Sequence, residues 1–135
     1  MILIDSDVLL DVAFERAPHV EPANQLLEQV QLGPERASIA WHTVSNVFYQ
    51  VSKHGNRHEA RQFVVMVLNI CEVARTGTSD MHFALQLDMS DFEDAMQVAA
   101  ARASFARFIV SRNERDFRKS PIRAYPPSEA LVRLR

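Results

Sequence analysis

At 135 residues, 47% hydrophobic and 24% charged, the chain has the make-up of one globular domain with a real core, which excludes a disordered or repetitive polymer. No apolar run approaches the roughly 18 residues of a membrane span, and no basic lead-in with a small-residue cleavage site marks a signal peptide, so a cytoplasmic protein is expected. The net charge of −2 is uneven: residues 100–135 carry nine Lys or Arg against three acids, leaving six against fourteen elsewhere.

The chain opens with an apolar run, Met1–Ile4, which reads as a short strand buried on both faces. It stops on Asp5, and helical spacing of Val8, Leu9, Val12 and Ala13 begins just behind. A second amphipathic helix is expected over 21–32, stopped by Gly33-Pro34. Residues 36–41 suggest a second strand, after which Thr43 is placed to cap a helix ending near Gly55. A fourth helix is expected over 57–69, then a third strand from Cys71 to Ala74. Cys71 has no second cysteine to pair with and reads as a small buried hydrophobe. Thr78 or Ser79 starts another helix, and residues 91–103 form an Ala-rich one with three acids at its start. Strands at 107–111 and 122–125 follow, and a closing helix begins at Ser128. Alternating strands and helices imply an α/β sandwich with a parallel sheet, in a single domain over 1–135.

Three places share one grammar: an acid or amide where a strand ends or a helix begins. They are Asp5 with Asp7, Asp91 with Asp94, and Asn113 with Asp116. Right-handed parallel connections bring strand ends to one sheet edge, where ligands bind in such folds. Each pair alone has a plain alternative as a helix cap or first-turn acid. The basic last third offers a surface for a polyanion nearby; the alternative is that it pairs with acids elsewhere in the fold. His54 and His58 have ligand spacing, but Gly55-Asn56 interrupts any helix between them. Phe48, Phe63 and Phe83 lie at helical spacing and are expected in the core.

Ile4-Asp5-Ser6-Asp7-Val8-Leu9-Leu10-Asp11 resembles the first motif of PIN-domain ribonucleases, and Asp91-Phe92-Glu93-Asp94-Ala95-Met96-Gln97 resembles their central acidic helix start. Ile109 to Phe117 is similar to their last motif, and Pro127 to Leu131 to their closing helix. The resemblance implies a three-layer α/β/α sandwich with an acidic pocket for Mg²⁺ or Mn²⁺ that hydrolyses RNA. Many members of this size are similar to VapC toxins, held by a small antitoxin and usually homodimeric. By resemblance Asp5, Asp94 and Asp116 are the metal-binding acids. Asn113 shares the last position with Asp116, and Asn46 falls where the family has a Glu. An amide there keeps a carbonyl oxygen but brings no charge. The resemblance further implies that Asn46 and Asn113 orient water or phosphate. Ser6 and Ser111 are expected on the scissile phosphate, and Arg112, Arg115, Arg118 and Lys119 on the flanking backbone. The other reading is a PIN fold, catalytically weak or inactive, that binds RNA or a protein. Asp5-Ser6-Asp7-Val8 also fits the opening of haloacid-dehalogenase phosphatases, which need a longer chain and a later Lys.

Overall fold

The computed structural model describes residues 1–135, and its first strand shows why the chain layers as it does. In β1 (Ile2–Ile4) all three side chains are fully buried. Side chains alternate across a strand, so Ile2 and Ile4 enter one core while Leu3 enters another. The larger core receives α1 (Ser6–Ala13), α2 (Val20–Leu32), α3 (Trp41–His54), α4 (Arg57–Ile70) and α7 (Pro127–Arg133). The smaller receives α5 (Thr78–Gln86) and α6 (Phe92–Ala103). These are the expected three layers.

Between them lies a five-stranded sheet, every pairing parallel, in the order β3 (Cys71–Val73), β2 (Ala37–Ile39), β1, β4 (Ile109–Val110), β5 (Ala124–Tyr125). The central position of β1 explains its unbroken apolar run. Burying each such Ile or Leu contributes about 1.5–3 kcal/mol, and an acid within the strand would meet apolar packing on either face. The carboxyl ends of β1 and β4 are neighbours, with Asp5 donating its backbone N–H to Val110 O at 2.9 Å.

Local chemistry sets the ends of the helices. Asp5 caps α1, its Oδ1 accepting from Ser6 N at 2.8 Å. Asn56 caps α4 and Asp91 caps α6 through Glu93 N at 2.8 Å. The break between His54 and Arg57 keeps those histidines on separate helices. Phe48, Phe63 and Phe83 pack against the cores as expected. Cys71 is buried, which pushes its thiol up to about 12.

Two expectations fail around β2. Ala40 is the extended residue before α3, so Trp41 opens the helix instead of closing the strand, and Thr43 lies inside the first turn. Thr43 caps nothing. It is buried, and its Oγ1 accepts from Gln97 Nε2 at 2.9 Å.

Candidate acidic site

Asp5 leaves β1 and enters α1, so its carboxylate sits at the sheet's carboxyl edge, only 6% exposed. Oδ2 accepts from Ser111 Oγ at 2.8 Å, a contact made possible because β4 runs beside β1. Burial raises the pKa of Asp5, the Ser111 and Ser6 hydrogen bonds oppose that rise, and the charge of Asp91 adds to it. Asp7, in the first turn of α1, accepts at Oδ2 from Arg112 N at 3.0 Å and from Ser111 Oγ at 3.3 Å. Its Oδ1 is buried without a partner. Burial and the neighbouring Asp5 push Asp7 to about 7, against a partial counterweight from Arg112.

α6 brings the next acid. Asp94 is half-buried in its first turn and accepts no hydrogen bond that would stabilise its charge. Burial raises it to about 7, helped by Asp91, Asp5, Asp116 and Asp7. Asp116 is exposed on the 3₁₀ turn Glu114–Phe117, anchored by buried Phe117. Four carboxylates from three distant stretches, Asp5 with Asp7, Asp91 and Asp116, therefore act on Asp94 at one sheet edge. Such a cluster favours whatever brings positive charge. No three of them converge tightly enough to cage a bare ion. Their hard oxygens and the orphaned Asp7 Oδ1 instead suit a cation that keeps several of its own waters, as Mg²⁺ does.

The remaining expected residues separate into two groups. Asn46, half-buried on α3, donates from Nδ2 to Ser6 Oγ at 3.1 Å, tying both to the acidic edge. Asn113, Arg115, Arg118 and Lys119 are exposed. Lys119 meets Asp88 at 3.3 Å, but with both side chains largely in solvent that pair is worth about 0–1 kcal/mol. Two assignments need correcting. Ser111 is 0% exposed and braces Asp5 and Asp7, so it has no surface with which to reach a phosphate. Arg112 turns its guanidinium onto fully buried Asp11, Nη2 to Oδ1 at 3.2 Å. That contact aims the guanidinium into the fold, so Arg112 is not free to clamp an RNA backbone. Of the basic last third, Arg107, Arg112, Lys119 and Arg133 pair with acids, whereas Arg115 and Arg118 make no ion pair.

The model of the PIN domain family matches residues 1–115, in which Asp5, Asp94 and Asn113 all lie. The chain belongs to the PIN domain family. Solved structures that this PIN domain resembles share its fold at low identity. One is VapBC2 from Rickettsia felis bound to a DNA fragment from its promoter: 15% identity, 93% of this chain and 98% of that one, TM-score 0.72. A toxin–antitoxin complex from Klebsiella pneumoniae gives 21% identity, 94% and 98% coverage, and TM-score 0.69. VapC20 from Mycobacterium tuberculosis, a toxin cleaving the sarcin–ricin loop, gives 13%, 81% and 87%, and 0.65. No curated protein matches the sequence.

The PIN domain also carries features that its sequence does not reveal. Asp11 with Arg112, a partly buried polar pair, and Gln97 with Thr43, a buried one, join stretches far apart in the chain. A cleft of about 780 Å³ lies apart from the acidic site. It lies past the ends of β2 and β3, walled by α5 and α6, with Trp41, Met81 and Ala99 among its lining. Trp41, Met81 and nearby Leu85 on α5 are exposed there. No helix is long and apolar enough to cross a membrane.

Proposed function

We propose that this PIN domain is a Mg²⁺- or Mn²⁺-dependent endoribonuclease, the toxin of a toxin–antitoxin pair. The observation that carries the reading is the meeting of Asp5, Asp7, Asp94 and Asp116 at one sheet edge, where burial and mutual repulsion hold Asp7 and Asp94 near 7. Asp5, Asp94 and Asp116 would hold the ion. When bound, the ion would neutralise the phosphodiester and acidify the attacking water. Ser111 keeps the Asp5 carboxylate aimed by donating to one oxygen. Asn46 holds the Ser6 hydroxyl and retains a carbonyl oxygen for a water; exposed Asn113 would orient water or phosphate. Arg115, Arg118 and Lys119 grip the flanking RNA backbone without regard to sequence.

The solved toxin–antitoxin complexes of the same fold support a small antitoxin as partner. A homodimer belongs to the same reading, with a second copy covering Trp41, Met81 and Leu85 beside the apolar cleft. Asn46 favours a second reading, a PIN fold that binds RNA or protein without cutting, because the amide supplies no charge at its position. Incubating the purified protein with varied RNAs in Mn²⁺, with and without EDTA, separates the two. Cleavage that EDTA and Asp5→Ala abolish supports the nuclease. Intact RNA from folded protein, with binding that survives Asp94→Ala, supports the binder.

A further inference from the structure

One ion pair, with its carboxylate fully buried, lies beside the acids without entering the proposed reaction. Asp7 and Asp11 are four residues apart on α1 and share one of its faces. Asp11 is fully buried, and both its oxygens accept from Arg112, Nη2 to Oδ1 at 3.2 Å and Nε to Oδ2 at 2.5 Å. Arg16 Nη1 stands 3.6 Å from Oδ1. The backbone N–H of the same Arg112 donates to Asp7 Oδ2 at 3.0 Å. α1 therefore grips residue 112 twice, once at its main chain and once at its guanidinium. On either side, Ser111 Oγ donates to Asp5 and accepts from Asn113 N at 3.1 Å. This segment runs directly into the turn that carries Asp116.

A buried ion pair is a poor way to gain stability, since apolar residues of similar volume do as well or better. What a two-pronged guanidinium–carboxylate contact supplies is orientation, because the planar fork fits in one way. We propose that Asp11 is a positioning residue. Through Arg112 it holds residues 111–116 in register with Asp5, so that acids from β1, α6 and the 3₁₀ turn face one ion. This rests on the reading of the cluster as a divalent-cation site.

The test compares full-length wild type, Asp11→Asn, Arg112→Lys and the double variant. Three quantities are read: amide hydrogen exchange in metal-free protein, Mn²⁺ affinity, and kcat and KM for RNA. In Asp11→Asn, exchange at Arg112 and Asn113 rises about tenfold or more relative to the β1 amides, the mark of a locally freed segment. Mn²⁺ affinity and kcat fall about 10–100-fold, as when a partner that orients metal ligands is lost. KM for RNA changes by less than kcat does, because Arg118 and Lys119 lie beyond the freed segment. Arg112→Lys keeps the charge, loses the fork and shows the same defects. The double variant is no worse than the poorer single one, as for residues acting as a unit.

A purely structural role would lower urea stability while leaving 111–116 exchange relative to β1, Mn²⁺ affinity and kcat per folded molecule as in wild type. That result overturns the proposal. If Asp11→Asn does not fold, Arg112→Lys decides by the same measurements. If wild type leaves RNA intact while exchange and Mn²⁺ affinity respond as described, the nuclease reading fails and the positioning role stands. If wild type cleaves RNA and neither variant changes exchange or affinity, the reading stands and the positioning role fails.

Discussion

Replacing Asp94 by Asn should make the metal-free protein more stable at neutral to alkaline pH. Asp94 titrates near 3.8 in an unfolded chain and near 7 in the fold, raised first by burial and then by Asp91, Asp5, Asp116 and Asp7. Below the lower value both states hold the proton and nothing is lost. As pH rises through the interval the unfolded chain ionises first, the folded state binds the extra proton, and stability falls. Above 7 the loss is complete. A gap of about three pKa units corresponds to a ceiling of about 4 kcal/mol. Asp94 is only half-buried, so solvent screening reduces this to about 1–2 kcal/mol. The side chain accepts no hydrogen bond, so an amide in its place breaks none, and the Asp91 cap to the Asp94 backbone N–H is kept. Urea unfolding in EDTA should show that gain at about pH 8 and roughly a third of it at about pH 4. Equal stability of the two proteins at the higher pH, or a gain of the same size at both, would refute the reasoning.

Asn46→Glu should raise Mn²⁺ affinity and RNA cleavage by about tenfold, measured in a metal-titrated assay, by restoring a charge at the acidic edge. Arg118→Ala should lower the slope of log affinity against log salt for single-stranded RNA by about 0.7, read from binding in a salt series. Arg112→Lys should leave that slope unchanged, because Arg112 is turned onto Asp11. Trp41→Ala should shift the protein toward monomer in light scattering, if its exposed ring is covered by a second copy.

The order of strands and helices was legible because each carries its own signal. The β1 run is apolar on both faces, Gly33-Pro34 and Gly55-Asn56 punctuate the chain, and Asp91 precedes an Ala-rich helix. Trp41 misled because a large aromatic after Ser38-Ile39-Ala40 extends a strand pattern, whereas the chain turns one residue earlier. Asp5, Asp94 and Asp116 could be singled out because each follows a strand or opens a helix. What those side chains touch could not be read. Arg112 looks like any basic residue in a charged stretch, and its partner Asp11 lies about a hundred residues earlier, buried in the last turn of α1. Ser111 looks available until the β1–β4 pairing sets it against Asp5. Pairings between distant residues depend on sheet order, here β3-β2-β1-β4-β5, and no local pattern encodes that order.

Mn²⁺ binding to the intact protein, followed by calorimetry with Asp5→Asn and Asp94→Asn alongside, tests the central claim most directly. One site should appear in wild type and weaken by about tenfold or more in each variant, although the two residues lie on different elements. Affinity that is the same in all three proteins would contradict a shared ion between those carboxylates.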